Sequence, residues 1–138
     1  MTQLDPARYA VIVDRLLASP VAARLGITVD EARGGQVRLT MPFGAANITE
    51  GDMVHGGVIA TLADIAGVAG AVSAAREVPV AGATARLSVN YLSTAKGCTL
   101  TATSHLVQDG ARHHVVRVEI HGAPGQLIAE ALVTVVLV

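Results

Sequence analysis

Val54-His55-Gly56-Gly57-Val58-Ile59-Ala60-Thr61-Leu62-Ala63-Asp64-Ile65-Ala66-Gly67-Val68-Ala69-Gly70-Ala71 is a long apolar run led by two glycines. Between His55 and Ala75 its sole formally charged side chain is Asp64. The pattern predicts one helix over roughly residues 57–76, apolar on nearly every side and therefore buried inside a protein. An ionised carboxylate drawn out of water without a partner is costly, so an acid kept there is expected to hold a proton or to border a cavity. Two readings stay open. Asp64 is either a carboxylate satisfied by nearby amides or an arginine, or a catalytic acid or base, and its neighbours favour the second.

The run also reaches the length of a membrane span, and its glycines at 56, 57, 67 and 70 could form a close-packing face. A central carboxylate is expensive in lipid, however, and no basic cluster flanks the run. The remaining chain alternates as amphipathic strands. A core helix is the better reading, and no membrane partner is expected.

Outward from this helix, Asp5 before Pro6 and apolar residues at 9, 12, 13 and 16 predict a capped helix over residues 5–17. A second helical turn over 21–25 stops at Gly26. Strands are expected over 27–31 and 36–41, joined by a turn at Ala32-Arg33-Gly34-Gly35. Residues 42–54 read as a loop. Beyond the helix, strands are expected over 80–92, 99–108, 113–121 and 127–137, with alternation clearest at Val116, Val118, Ile120 and at Ala129, Ala131, Val133, Val135. The order predicts an α+β domain over 1–138, in which an antiparallel meander folds around one central helix.

Of the 138 residues, 51% are hydrophobic and 15% charged, too apolar for a chain this short to bury within one subunit. A homo-oligomer, dimer or tetramer, is expected. A net charge of −1 without a basic stripe argues against nucleic acid. The lone Cys98 permits no internal disulfide and reads as core filler. The start carries no basic segment followed by an apolar one, so the cytoplasm is the expected compartment. His113 and His114 are adjacent on a strand and point to opposite faces, and no spacing has metal-ligand form, so no metal is expected. No Gly-x-Ser-x-Gly elbow is present.

The string His55-Gly56-Gly57-Val58-Ile59-Ala60-Thr61-Leu62-Ala63-Asp64 closely resembles the signature of hotdog-fold acyl-CoA thioesterases. It is most similar to the phenylacetate-pathway branch and to relatives acting on aryl-CoA and fatty acyl-CoA. Asn90-Tyr91-Leu92-Ser93 resembles the end of that family's central strand, and the resemblance runs from about Leu25 to Val138. It implies a hotdog fold, an antiparallel sheet wrapped around one long helix, and a site shared between two subunits. Helix geometry agrees: Gly56 and Asp64 lie eight residues apart, about 12 Å along the axis at ~1.5 Å per residue. They cannot both touch one thioester carbon unless two helices meet in antiparallel fashion across a two-fold axis.

By this resemblance Gly56 donates its backbone N–H to the thioester oxygen, Gly57 permits close approach, and His55 positions the thioester. Asn47 matches an Asn that binds the carbonyl or orients water, although the segment between Asn47 and His55 is about two residues longer than the family pattern. An ordinary Asx turn accounts for Asn47 equally well. Thr84 corresponds to a hydroxyl that helps hold the attacking water in some members. A strand Thr needs no such role; parity groups it with Arg86, Ser88 and Asn90 on a polar face, opposite Ala85, Leu87, Val89 and Tyr91. Lys96 is the favoured basic residue for a coenzyme A phosphate. The implied reaction is hydrolysis of an acyl-CoA thioester, with Asp64 as general base or nucleophile and coenzyme A entering as part of the substrate, without a further cofactor. With aromatics at 2%, the acyl pocket should be largely aliphatic. A dehydratase or hydratase of the same fold, or an acyl-CoA-binding module, are the alternatives.

Overall fold

A computed structural model of the chain describes residues 3–138. The helix α1, Pro6–Ala10, starts where Asp5 accepts from the Arg8 N–H at 3.1 Å, with proline at the first helical position. That bond holds the Asp5 carboxyl below its usual value of 3.8. The cap is therefore complete above that value and is lost as pH falls through the lowered one. The expected single helix changes winding midway: Val11–Leu16 is π-helical, closed by the Leu17 N–H on the Ile12 carbonyl at 2.9 Å. Helix α2, Pro20–Leu25, ends at Gly26, whose φ of 71° lies in the left-handed region that glycine tolerates.

Strands β1, Thr28–Arg33, and β2, Gln36–Met41, form a hairpin. Helix α3, Gly56–Ala74, follows, and then β3, Gly82–Tyr91, β4, Leu100–Asp109, β5, His113–His121, and β6, Leu127–Leu137. All six strands join in one antiparallel sheet of order β1-β2-β4-β5-β6-β3. This corrects the expected meander. Strands β4, β5 and β6 are sequential neighbours, but β3 lies at the far edge beside β6. The crossover through α3 returns the chain to the end where β2 began, so β3 runs parallel to β2 with three strands between them. The chain then crosses back, its Leu92 and Ser93 N–H groups held on the Ile128 carbonyl at 2.8 and 3.2 Å. The segment that resembles a central strand ending is thus an edge strand in the single chain.

Helix α3 lies across the sheet and is the axis of the core. Leu62, Ala63, Ala66 and Ala69 are sealed from solvent against Leu39, Ala102, Val116, Val118 and Val133. Although α3 is long and apolar enough to cross a membrane, 61% of its most apolar window is buried in protein. Two glycines set its distance from the sheet. A Cβ at Gly67 would lie 2.6 Å from the Val133 Cβ, and one at Gly70 would lie 2.7 Å from the Ser104 Oγ. That Oγ also holds β2, accepting from the Val37 N–H at 3.1 Å. His113 is exposed and His114 buried, as their adjacency predicts. Cys98 is half-buried and packs on the rim of the core.

Candidate active site

The long apolar run does not bury Asp64. Its side chain emerges half-buried on the α3 face turned toward β3, beside Ala60, Thr61 and Val68, which are also half-buried. There the Thr84 hydroxyl donates to Asp64 Oδ1 at 2.5 Å. The carboxylate therefore has a hydroxyl partner and access to solvent, where the sequence led to an acid that holds a proton or borders a cavity.

Thr84 reaches Asp64 through a bulge. In the register of β3 on β6, Thr84 faces Val135 and Arg86 faces Thr134, so Ala85 is an extra residue without a partner. The insertion reverses parity. Thr84 shares a face with Leu87, Val89 and Tyr91, whose cross-strand partners Val133, Ala131 and Ala129 are buried beneath α3. Arg86, Ser88 and Asn90 point the other way. The expected grouping of Thr84 with those three is corrected, and the bulge is what aims its hydroxyl at the helix.

The N-terminus of α3 is built by the residues around it. His55 is its cap, and its Nδ1 accepts from the Gly57 N–H at 2.8 Å, which leaves the ring proton on Nε2. The Gly57 amide is consumed by that bond. The Gly56 N–H has no acceptor among the described residues, whereas its carbonyl accepts from the Tyr91 hydroxyl at 2.7 Å. Tyr91 holds the start of α3 by this bond, whereas the sequence offered it only as part of an apolar face and of a strand ending. Only a strand running beside the helix start makes its hydroxyl relevant.

Asn47 and His55 are eight residues apart in sequence yet adjacent in the fold, with the His55 N–H on the Asn47 carbonyl at 2.7 Å. The longer intervening segment folds into a small hairpin. Ile48 bridges Val54, and Thr49 donates to the Met53 carbonyl at 2.9 Å. Gly51, with φ of 62°, makes its tip. The extra residues are absorbed there, and Asn47 stays at the entrance to α3. Lys96 is delivered to the same end, bridging Met53 through its backbone while Val54 donates to the Ala95 carbonyl at 2.9 Å.

One chain thus holds two separate groups of candidate residues. Asp64 and Thr84 form one; His55, Gly56, Asn47 and Lys96 cluster at the helix start, about 12 Å away along α3. The first offers a hydrogen-bonded carboxylate for proton transfer or attack. The second offers an open amide at the positive end of a helix, suited to a developing oxyanion.

Comparison with known proteins agrees with the fold. A candidate esterase of Halobacterium salinarum is 39% identical over 102 residues, which span 70% of this chain and 66% of that protein, just under two thirds of its length. The structure of the PaaI protein from the phenylacetic acid degradation operon of E. coli shares the fold with a TM-score of 0.86 at 22% identity, covering 99% of this chain and 96% of that one. A hypothetical thioesterase protein of Streptococcus pneumoniae, solved with coenzyme A, has a TM-score of 0.73 at 25% identity over 81% of this chain and 85% of that one. The sequence model of the Thioesterase superfamily matches residues 51–129, from the hairpin tip through α3 and into β6. The chain belongs to the Thioesterase superfamily.

Proposed function

We propose that this protein hydrolyses an acyl-CoA thioester to the free acid and coenzyme A in the cytoplasm, at a site completed by two subunits. The observation that carries the reading is the Thr84–Asp64 hydrogen bond of 2.5 Å on the open face of α3. The hydroxyl fixes one carboxylate oxygen and leaves the other free to work. In the general-base route, Asp64 takes a proton from water while the water oxygen bonds to the thioester carbon. The carbon–sulfur bond then breaks, and the proton passes to the departing thiolate. In the nucleophilic route, Asp64 itself bonds to the carbon, expels the thiolate and leaves an anhydride that water opens. In both, Gly56 of the partner subunit holds the oxyanion, with His55 Nε2–H and Asn47 beside it. Lys96 at that same end attracts a coenzyme A phosphate. The coenzyme A bound to the Streptococcus pneumoniae relative supports this choice of thiol.

The edge strand supports the shared site. Strand β3 is exposed everywhere except Thr84 and Val89, and its outer edge is unpaired among the described residues. Long open edges invite pairing with another chain. Antiparallel pairing of two β3 strands about a two-fold axis would set two α3 helices side by side.

Thiol release from a panel of acyl-CoAs is the test. The wild-type protein should turn over at least one of them, and Asp64→Asn should lose about 10²–10⁴-fold in kcat while keeping its circular dichroism. Full activity in that variant would move the chemistry elsewhere. Acyl-CoA binding without thiol release would mark a binding module instead.

A further inference from the structure

The N–H groups of the cap and of the first three residues of an α-helix have no intrahelical acceptor. At the start of α3 the groups of His55, Gly57 and Val58 are engaged. His55 donates to the Asn47 carbonyl at 2.7 Å, Gly57 to His55 Nδ1 at 2.8 Å, and Val58 to the His55 carbonyl at 3.0 Å. The Gly56 N–H is the one left without an acceptor among the described residues. The His55 side chain is exposed, so its bond to the Gly57 N–H is what orients the ring and sets its tautomer.

The peptide group that makes that bond is also held at its other end. The Gly56 carbonyl and the Gly57 N–H belong to one planar unit. The Tyr91 hydroxyl donates to its oxygen at 2.7 Å, while its N–H donates to His55 Nδ1 at 2.8 Å. A hydrogen bond accepted by a peptide oxygen polarises the group and strengthens the bond that its N–H donates. Glycine on both sides gives this unit wide freedom of φ and ψ, so its plane depends on such anchors. The Tyr91 ring flanks the same place: a Cβ at Gly56 would lie 3.5 Å from its Cε1 and 3.6 Å from its Cζ.

Tyr91 shares the helix-facing side of β3 with Thr84 only because the strand is bulged. The two are seven residues apart, an odd number that would place them on opposite faces of an unbroken strand. The unpaired Ala85 turns both toward α3, Thr84 onto Asp64 and Tyr91 onto Gly56. Resting on the hydrolase reading above, we propose that Tyr91 is a positioning residue for the oxyanion end of the site. Acting through the Gly56–Gly57 peptide, its hydroxyl fixes the His55 ring with the proton on Nε2 and leaves the Gly56 N–H as the open amide. The helix start then presents two donors in a fixed arrangement, as a developing oxyanion requires.

Tyr91→Phe keeps the ring and removes the hydroxyl; Tyr9→Phe alters the chain's other tyrosine, on α1, and serves as the control. Nitrogen-15 NMR at about pH 8.5, some two units above the usual histidine value of ~6.5, reads the His55 tautomer apart from any turnover. The His55 signals are identified by their loss in His55→Gln. The wild-type ring should carry its proton on Nε2. In Tyr91→Phe the Gly57 amide proton should move upfield and the Nδ1–H form should gain population, whereas Tyr9→Phe should match wild type. In thiol release from acyl-CoA, Tyr91→Phe should lower kcat about two- to twelvefold, the range of one net hydrogen bond, with KM within about twofold. A wild-type ring protonated on Nδ1, a folded Tyr91→Phe protein with unmoved Gly57 and His55 shifts, or one with unimpaired kcat would each overturn the proposal. If the shifts move as expected while the wild-type protein releases no thiol, the hydrolase reading fails and the link from Tyr91 to His55 stands. If thiol is released while the shifts stay in place, the link fails and the hydrolase reading stands.

Discussion

Thr84 touches Asp64 because one neighbouring residue, Ala85, has no partner on β6. A hydrogen bond to a charged acceptor is worth about 1.5–3 kcal/mol, roughly ten- to 150-fold in a rate if it is needed in the transition state. Thr84→Val should therefore lower kcat for thioester hydrolysis by about tenfold or more, while Thr84→Ser, which keeps the hydroxyl, should stay within about threefold of wild type. Steady-state kinetics on both variants checks this; an unimpaired Thr84→Val would reduce the contact to packing. The acid itself was legible from sequence as a lone charge in an apolar run, and Thr84 was named through the family resemblance, but the contact between them was not legible. A two-residue alternation assumes an unbroken ladder, and a bulge announces itself only through the strand that pairs with it. Tyr91 escaped for a related reason: its bond to Gly56 joins residues 35 apart in sequence.

At the scale of elements, patterns that depend on local periodicity translated well. The strands β5 and β6 occupy the residues their alternation predicts, and α3 differs from its expected span by only one or two residues at each end. The first helix was legible as a helix but its π winding was not, because apolar spacing alone does not separate four-residue from five-residue turns. Gly67 and Gly70 were legible in sequence as part of a close-packing face, but not that the sheet is what they contact. Gly67→Ala gains about 1 kcal/mol of helix propensity. Its new methyl, however, would sit 2.6–2.7 Å from the Cβ and both Cγ atoms of Val133, so the whole side chain must move. Overpacking of that kind costs about 1–3 kcal/mol. The net expectation is destabilisation by about 1 kcal/mol, read as a lower denaturation midpoint in urea, with part of the loss recovered when Val133→Ala is added. A Gly67→Ala protein more stable than wild type would mean that α3 is less tightly seated than described.

For the molecule as a whole, the apolar excess of the sequence finds its place on β3 and its surroundings, where Leu87, Tyr91 and Leu92 stand 38%, 53% and 54% exposed. The place of β3 at the sheet edge was not legible, because strand order follows from the crossover through α3 and from pairing with the last strand of the chain. On the proposed reading, that edge is where a second subunit would join Asp64 of one chain to Gly56 of the other. The most direct test of a shared site is complementation between two inactive proteins. Asp64→Asn removes the carboxylate, and Gly56→Pro removes the amide N–H at the first position of α3, where proline suits the helix and the nearest Tyr91 atom lies an ordinary 3.5 Å from a Cβ. A heterodimer of the two would carry one doubly damaged site and one intact site. With folding confirmed by circular dichroism and subunit exchange by mass spectrometry, the heterodimer should recover about half the wild-type rate of thiol release; verified heterodimers that remain inactive would contradict a site built from two chains.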